Sequence, residues 1–349
     1  QEGWLATYTD ANDNTTTYTY FPDGTVASVT NALGHSRSYT YDSRGNKLSE
    51  TDELGNTTTY EYDKKDNLIA TTLPPNTLGE RAVTRYEHDQ FGNVIKTTDP
   101  LSNVTRQEYD QFSKLIKIID AFGNETVNTY NDLGRLIART DPLGRITRSE
   151  YDPNGRMTKS IDALGNETQY VYDAAGRRIA KIDAEGNQTD FQYDSRGRLV
   201  KTIAPADEQG RRPTVLFAYD SAGRLFEKTD ADGVITRYEY DEQGRQIATI
   251  EAVGTALARR KEQTYDSAGQ LKTVKDARGN ITTMHYDELG RAVSTEDALG
   301  NSDLITYDEA GRRKSVRDKD GNTTNFVYDD RGMLVEVLHP DGASEKFEY

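Results

Sequence analysis

The chain contains no cysteine, which excludes disulfides, thiolate metal sites and cysteine catalysis. It has one tryptophan, three methionines and four histidines in 349 residues. His35, His88, His285 and His339 lie far apart and share no ligand spacing, so they read as replacements at turn or ladder positions. No run of 18 apolar residues is present, and no signal peptide is visible, so this segment is not expected to insert into a membrane. Positive charge is outnumbered: 43 Lys and Arg face 58 Asp and Glu, a net −15. That balance disfavours nucleic acid, and simple adhesion to anionic membranes, as partners. Apolar residues make up only 34% of the chain, against about half in an ordinary globular domain. Mean hydropathy is −0.84. A thick aliphatic core is not expected, and disorder would be the rival reading if the chain were not strictly periodic.

What is present is a repeat. Taking as anchor the tyrosine before each Asp-led turn, the period is 21 residues. The anchors are Tyr20, Tyr41, Tyr62, Tyr109, Tyr130, Tyr151, Tyr172, Tyr193, Tyr219, Tyr240, Tyr265, Tyr286, Tyr307, Tyr328 and Tyr349, with His88 holding the place between Tyr62 and Tyr109. Of the 15 intervals, 12 are 21 residues; the others are 26, 26 and 25. The chain therefore reads as one array of sixteen repeats over 1–349, a segment of a longer protein.

Each repeat holds two D-x-x-G turns, such as Asp173-Ala174-Ala175-Gly176 and, ten residues on, Asp183-Ala184-Glu185-Gly186. Asp at the first position accepts hydrogen bonds from the turn backbone, and Gly at the fourth takes positive φ. The first-turn glycines include Gly45, Gly134, Gly155, Gly176, Gly197, Gly223, Gly244, Gly290, Gly311 and Gly332; Asp66 and Ser113 are the exceptions. Between the turns lie two short strands. The one leading to the anchor alternates clearly, with Thr168, Tyr170 and Tyr172 on one face and Glu167, Gln169 and Val171 on the other. Strand, turn, strand, turn without crossover predicts an all-β antiparallel meander of about 32 strands, which twists and coils as a single-sheet ribbon. Tyr suits such a sheet, since it buries a ring and keeps a hydroxyl for a polar partner. The anchor tyrosines form the expected structural ladder.

All three long intervals fall at second turns, at 73–81, 204–213 and 252–261, so they emerge on one edge of the ribbon. Residues 255–262 have the composition of a short helical turn. Catalytic chemistry finds no foothold: the regular carboxylates open turns, and no shaped acid pair is visible. Asp318-Lys319-Asp320-Gly321-Asn322 and Asp230-Ala231-Asp232-Gly233 echo the start of a calcium loop, but the required Glu at position twelve is Asp329 or Asp241. No catalytic residue, cofactor site or metal site is assigned. The sequons at Asn14, Asn56, Asn103, Asn124, Asn166, Asn187, Asn280 and Asn322 are written automatically by the repeat. Arg135, Arg156, Arg177, Arg198, Arg224, Arg245, Arg291 and Arg312 follow turn positions and stand where they can pair with the turn aspartates, a weak contact singly.

The unit Tyr-Asp-x-x-Gly-Arg-Leu, as in Tyr193-Asp194-Ser195-Arg196-Gly197-Arg198-Leu199 and Tyr219-Asp220-Ser221-Ala222-Gly223-Arg224-Leu225, resembles the Rhs or YD repeats. The resemblance covers essentially the whole chain. It implies a β ribbon coiled into part of a hollow shell. In bacterial Rhs proteins and Tc toxin complexes, such a shell encloses a toxic C-terminal domain of the same polypeptide; teneurin adhesion receptors are distant relatives. The partners implied are flanking repeats and the enclosed domain, in a secreted or cell-surface setting. Edge-to-edge self-association is expected of an unclosed ribbon. The alternative implied is an extracellular binding or adhesion module for carbohydrate. The self-cleavage motif of toxin-bearing members is not matched: Asp141-Pro142-Leu143-Gly144-Arg145 is an ordinary second turn.

Overall fold

The computed structural model describes residues 3–349. Among them are 32 strands, from Thr7–Thr9 to Ser344–Lys346, and no helix. Strands pair antiparallel with their neighbours in chain order: Leu136–Thr140 pairs with Ile146–Tyr151, and that strand with Met157–Ile161. They form a 27-stranded sheet and a five-stranded one, the meander that the alternating pattern predicts. The chain divides into two units, Gln1–Val104 with Gln263–Tyr349, and Thr105–Glu262.

Both turns of a repeat have one geometry. In the first turn 194–198, Asp194 N–H donates to Arg198 O (2.9 Å) and Gly197 N–H donates to Asp194 O (3.0 Å). The second turn 183–187 repeats this with Asp183, Gly186 and Asn187. This is a type I turn followed by a left-handed residue, a hairpin connection that matches strand twist. Gly197 has φ of 83° and Gly186 of 82°. Where glycine is replaced, the backbone does not relax: Asp66, Ser102 and Ser113 hold φ of 67°, 67° and 60°.

A bulge reconciles the odd period with two constant faces. Ala138 stands opposite Arg148, and Arg148 opposite Ile161, so a row across the sheet advances from 138 to 161 in one repeat. That is two places more than the period, an even difference, and equivalent residues keep the same face. The row gains its odd residue because Glu150 faces Lys159 while Tyr151 faces Met157, which leaves Thr158 as the extra residue. The same shift recurs beside Tyr130, Tyr172, Tyr193 and Tyr219. Without it, identical turns and a 21-residue repeat would send equivalent side chains to alternate faces.

Burial is thin, as the composition requires. Ala70, Ala180, Ala248 and Val337 are the buried apolar residues among those described, and no large side chain is fully buried. In Glu167–Tyr172, Thr168, Tyr170 and Tyr172 are half-buried while Gln169 and Val171 are exposed. Glu167, on the same face as Gln169 and Val171, is half-buried and pairs with Lys159 at 3.0 Å.

The long intervals mostly extend hairpins. Strand Leu68–Pro75 pairs with Arg81–His88 as far as Pro75 opposite Arg81, and the standard turn caps them at 76–80. At 207–211 the standard turn reappears beyond Ala204, whose N–H donates to Pro213 O. The helical turn expected at 255–262 does not form. Thr255 and Ala258 close two consecutive turns, and Arg259–Tyr265 is a strand. Pairing with Gln246–Glu251 overrides local helix propensity, and Arg260, held between Glu239 (2.7 Å) and Glu262 (2.8 Å), fixes the segment on the sheet. Among the described residues, the sheet is interrupted between Ala292–Glu296 and Leu304–Tyr307, where Glu296 and Ser302 form an isolated bridge and Asp303 N–H donates to Thr295 O at 3.2 Å. There Asp303 occupies the place of the usual ladder threonine, and its carboxylate accepts from Thr295 N–H in place of a strand carbonyl.

Candidate functional site

The most elaborate arrangement in the molecule is a repeated junction between neighbouring repeats, built from the turn Asp, the turn Arg and the anchor Tyr. At 173–177, Asp173 Oδ1 accepts from Arg177 N–H at 2.9 Å, and its Oδ2 accepts from Arg177 Nε at 2.7 Å. The same guanidinium donates through Nη1 to Asp194 O of the next turn at 3.1 Å. It lies over the Tyr193 ring, 5.1 Å from the centroid. Tyr193 in turn donates its hydroxyl to Arg178 O at 2.8 Å, fifteen residues back. One arginine thus closes its own turn, holds the next turn's backbone and covers the next anchor ring. Such stacking contributes about 0.5–1 kcal/mol at exposed sites.

The junction recurs. Arg156 spans Asp152, Asp173 O and Tyr172; Arg224 spans Asp220, Asp241 O and Tyr240; Arg312 spans Asp308, Asp329 O and Tyr328. Arg198 does the same across the longer interval to Asp220 and Tyr219. Anchor hydroxyls reach the first strand residue after the preceding turn: Tyr130 to Leu115 O, Tyr151 to Leu136 O, Tyr172 to Met157 O, Tyr240 to Leu225 O, Tyr286 to Leu271 O and Tyr307 to Ala292 O. Tyr219 reaches Leu199 O over twenty residues because an insertion intervenes. Tyr41 packs edge-on against Phe21, and Tyr62 is half-buried in the same column. Tyr109 and Tyr265 close the strands Val104–Tyr109 and Arg259–Tyr265. Gly45, Gly134, Gly155, Gly176, Gly197, Gly223, Gly244, Gly290, Gly311 and Gly332 all have φ between 74° and 90°.

The pairing of arginine with turn aspartate follows from sequence spacing. Its stacking on the next anchor and its bond to the next turn do not, because the bulge decides which residues stand abreast. The recurrence of Arg one place after the turn glycine, six before the Asp of the next second turn, is the available signal.

Second turns use asparagine for the same purpose locally: Asn166 Nδ2 donates to Asp162 Oδ2 at 2.7 Å. The sequon asparagines Asn56, Asn103, Asn124, Asn187, Asn280 and Asn322 spend their amides in the same way. Turn carboxylates are held ionised by these donors. Hydrogen bonds from the Asn46 side chain and backbone bring Asp42 down to about 2. A hydrogen bond from Lys319 brings Asp297 to about 2. Arg177, through backbone and side chain, lowers Asp173. In the calcium-like loop, Asp318 accepts from Asp320 N–H, Asn322 N–H and Asn322 Nδ2, so its oxygens already serve the turn. Among the described residues no group of three His, Asp or Glu is arranged to hold a metal ion.

These repeats match known ones. The family model described as Teneurin YD-shell matches residues 2–148 and 51–198, together more than half of the chain, and the RHS Repeat model matches 219–256, 265–302 and 307–344. The chain belongs to the Rhs/YD-repeat family. Its fold is that of solved Tc toxin structures. The crystal structure of TcdB2-TccC3-Cdc42 superposes with a TM-score of 0.80 over 94% of this YD-repeat chain at 16% identity. TcdB2-TccC3 alone also gives 0.80, at 17% identity. A Tc holotoxin pore of Photorhabdus luminescens gives 0.79, again over 94% of the chain. This YD-repeat chain spans about a fifth of the length of those chains (19–20%). No curated protein matches it.

Proposed function

We propose that this YD-repeat chain is a non-catalytic wall segment of a longer Rhs-type shell that encloses a C-terminal toxin domain of the same secreted or cell-surface polypeptide. The observation that carries this reading is the junction itself. The recurring polar groups are spent on the ribbon itself: the turn Asp and the anchor hydroxyl close each repeat, and the turn Arg holds one repeat to the next. What remains is a thin, largely polar sheet, suited to separating two aqueous spaces. The likeness in fold to Tc toxin chains supports the same reading. Limited proteolysis of the parent polypeptide tests it. A non-repeat domain that survives protease until denaturant opens the repeats is the expected result. A domain cleaved as fast in the intact protein as when expressed alone would overturn it.

A second reading, a surface module that binds carbohydrate, is favoured by one feature. A cleft of about 740 Å³ is lined by Trp4, Tyr18, Tyr20 and Pro22, with the Trp4 and Tyr20 rings 5.4 Å apart. Binding to a glycan array that disappears with Trp4→Ala would favour it. A blank array would remove it.

A further inference from the structure

We propose that the cleft beside Tyr41 is a binding site for a guanidinium group, the side chain of an arginine carried by another polypeptide segment. The repeat itself shows what the place accepts. In the junctions at Arg156, Arg177, Arg224 and Arg312, the residue after the turn glycine sets its guanidinium 4.7–5.1 Å from the next anchor ring. A turn carboxylate and the next turn's carbonyl hold it there, as Asp173 and Asp194 O hold Arg177.

The turn 21–25 has the standard backbone: Phe21 N–H donates to Thr25 O at 2.9 Å, and Gly24 N–H to Phe21 O at 3.0 Å. Thr25 therefore stands where other repeats have arginine, and Tyr41 is to Thr25 as Tyr193 is to Arg177. Threonine brings no cation to that ring. One repeat earlier the same position is Trp4, whose ring stands 5.4 Å from that of Tyr20. One repeat later it is Asn46, whose amide is spent on Asp42 and Asp66. At Thr25 the space is instead a cleft of about 460 Å³, lined by Phe21, Pro22, Asp23, Thr25, Thr40 and Tyr41.

The rest of the junction is kept. Asp23 carries the carboxylate two places further along the turn, yet its Oδ1 serves the equivalent amide, accepting from Thr25 N–H at 3.0 Å and from Thr25 Oγ1 at 2.7 Å. Those bonds lower Asp23 from the ordinary carboxylate value, so it is charged at neutral pH. Among the described residues its other oxygen has no hydrogen-bond donor and no cation pairs with it. Asp42 O, the counterpart of Asp194 O, accepts from Gly45 N–H at 3.1 Å. The Tyr41 hydroxyl has no partner among the described residues, whereas Tyr20 and Tyr193 donate theirs to strand carbonyls. Phe21 meets the Tyr41 ring edge-on, at 6.2 Å and 83°, and walls the cleft. An aromatic ring, an unpaired carboxylate and open acceptors around one cleft suit a planar cation that stacks and donates several hydrogen bonds, a guanidinium rather than an ammonium.

The full chain labelled with ¹³C-tyrosine tests this by titration with N-acetyl-arginine amide, the Tyr41 ring signal being identified by its loss in Tyr41→Phe. The signal is expected to move and to saturate in the millimolar range. The uncharged isostere N-acetyl-citrulline amide should bind about tenfold more weakly or not at all, and Asp23→Asn should weaken the arginine probe about threefold or more. Thr25→Arg supplies the guanidinium from the chain itself; it should abolish the shift and leave circular dichroism as in the parent. A Tyr41 signal that stays still, that follows the citrulline probe equally, or that still moves in Thr25→Arg would overturn the proposal. So would an affinity unchanged in Asp23→Asn, or a response to methyl glucoside in place of the arginine probe. None of these outcomes bears on the shell reading, which proteolysis of the parent polypeptide decides separately.

Discussion

At the scale of single residues, stability rests on positions that recur rather than on buried ones. A non-glycine residue in the left-handed region costs roughly 1–2 kcal/mol. Ser102 holds φ of 67° in a second turn, so Ser102→Gly should stabilise the chain by about 1 kcal/mol. Gly165→Ala should cost a similar amount, and for the same reason alone, since an added Cβ there meets no atom within 4 Å. Urea denaturation of both variants checks the pair. In the junction, Tyr193→Phe removes the hydroxyl bond to Arg178 O and should cost about 1 kcal/mol. Arg177→Lys should cost more than the exposure of its ion pair implies, because lysine cannot serve Asp173, Asp194 O and the Tyr193 face together. Equal stability of Arg177→Lys and the parent in the same titration would remove the junction as a stabilising element.

The turn carboxylates also set a pH dependence. Asp162, Asp173 and Asp194 among them lie below the ordinary 3.8, and Asp42 and Asp297 fall to about 2. The stability they contribute is therefore fully present above about pH 4 and is lost as the pH falls toward 2. Melting temperature should be level from neutral pH to just above 4 and then drop. A melting temperature that stays level down to pH 2 would show that these groups titrate alike in folded and unfolded chains.

At the scale of the element, the sequence was legible wherever a rule is local. Asp-x-x-Gly writes its own turn, and Thr168, Tyr170 and Tyr172 alternate as a strand must. The helical turn expected at 255–262 is absent because Arg259–Tyr265 is held by Glu239 and by Gln246–Glu251, partners remote from its own composition. The bulge was hidden for a different reason: Thr158 looks like any strand residue, and only the oddness of 21 hints that one residue per repeat must stand outside the ladder. Two deletions in one strand examine this. Removing Thr158 leaves Tyr151 opposite Met157 and Glu150 opposite Lys159, a regular ladder, and should cost little. Removing Ser160 turns part of Met157–Ile161 to the wrong face and should cost clearly more. The midpoints of thermal unfolding rank the two; the reverse order would refute the bulge as the device that keeps the faces constant.

At the scale of the whole molecule, the chain is a sum of repeats, each bound chiefly to its neighbours. The Tyr and turn Gly columns were legible as positions, while their purpose, one arginine reaching from turn to turn across an anchor ring, emerges only when the strands are set side by side. The most direct measurement is the unfolding of a chain from which residues 173–193 have been excised, one complete repeat that rejoins Tyr172 to Asp194. The account predicts an unchanged β-sheet spectrum per residue, a cooperative transition at nearly the parent's midpoint, and Arg156 now reaching Asp194 and stacking on Tyr172 as before. Loss of the cooperative transition, with the rest of the repeats intact in sequence, would contradict it.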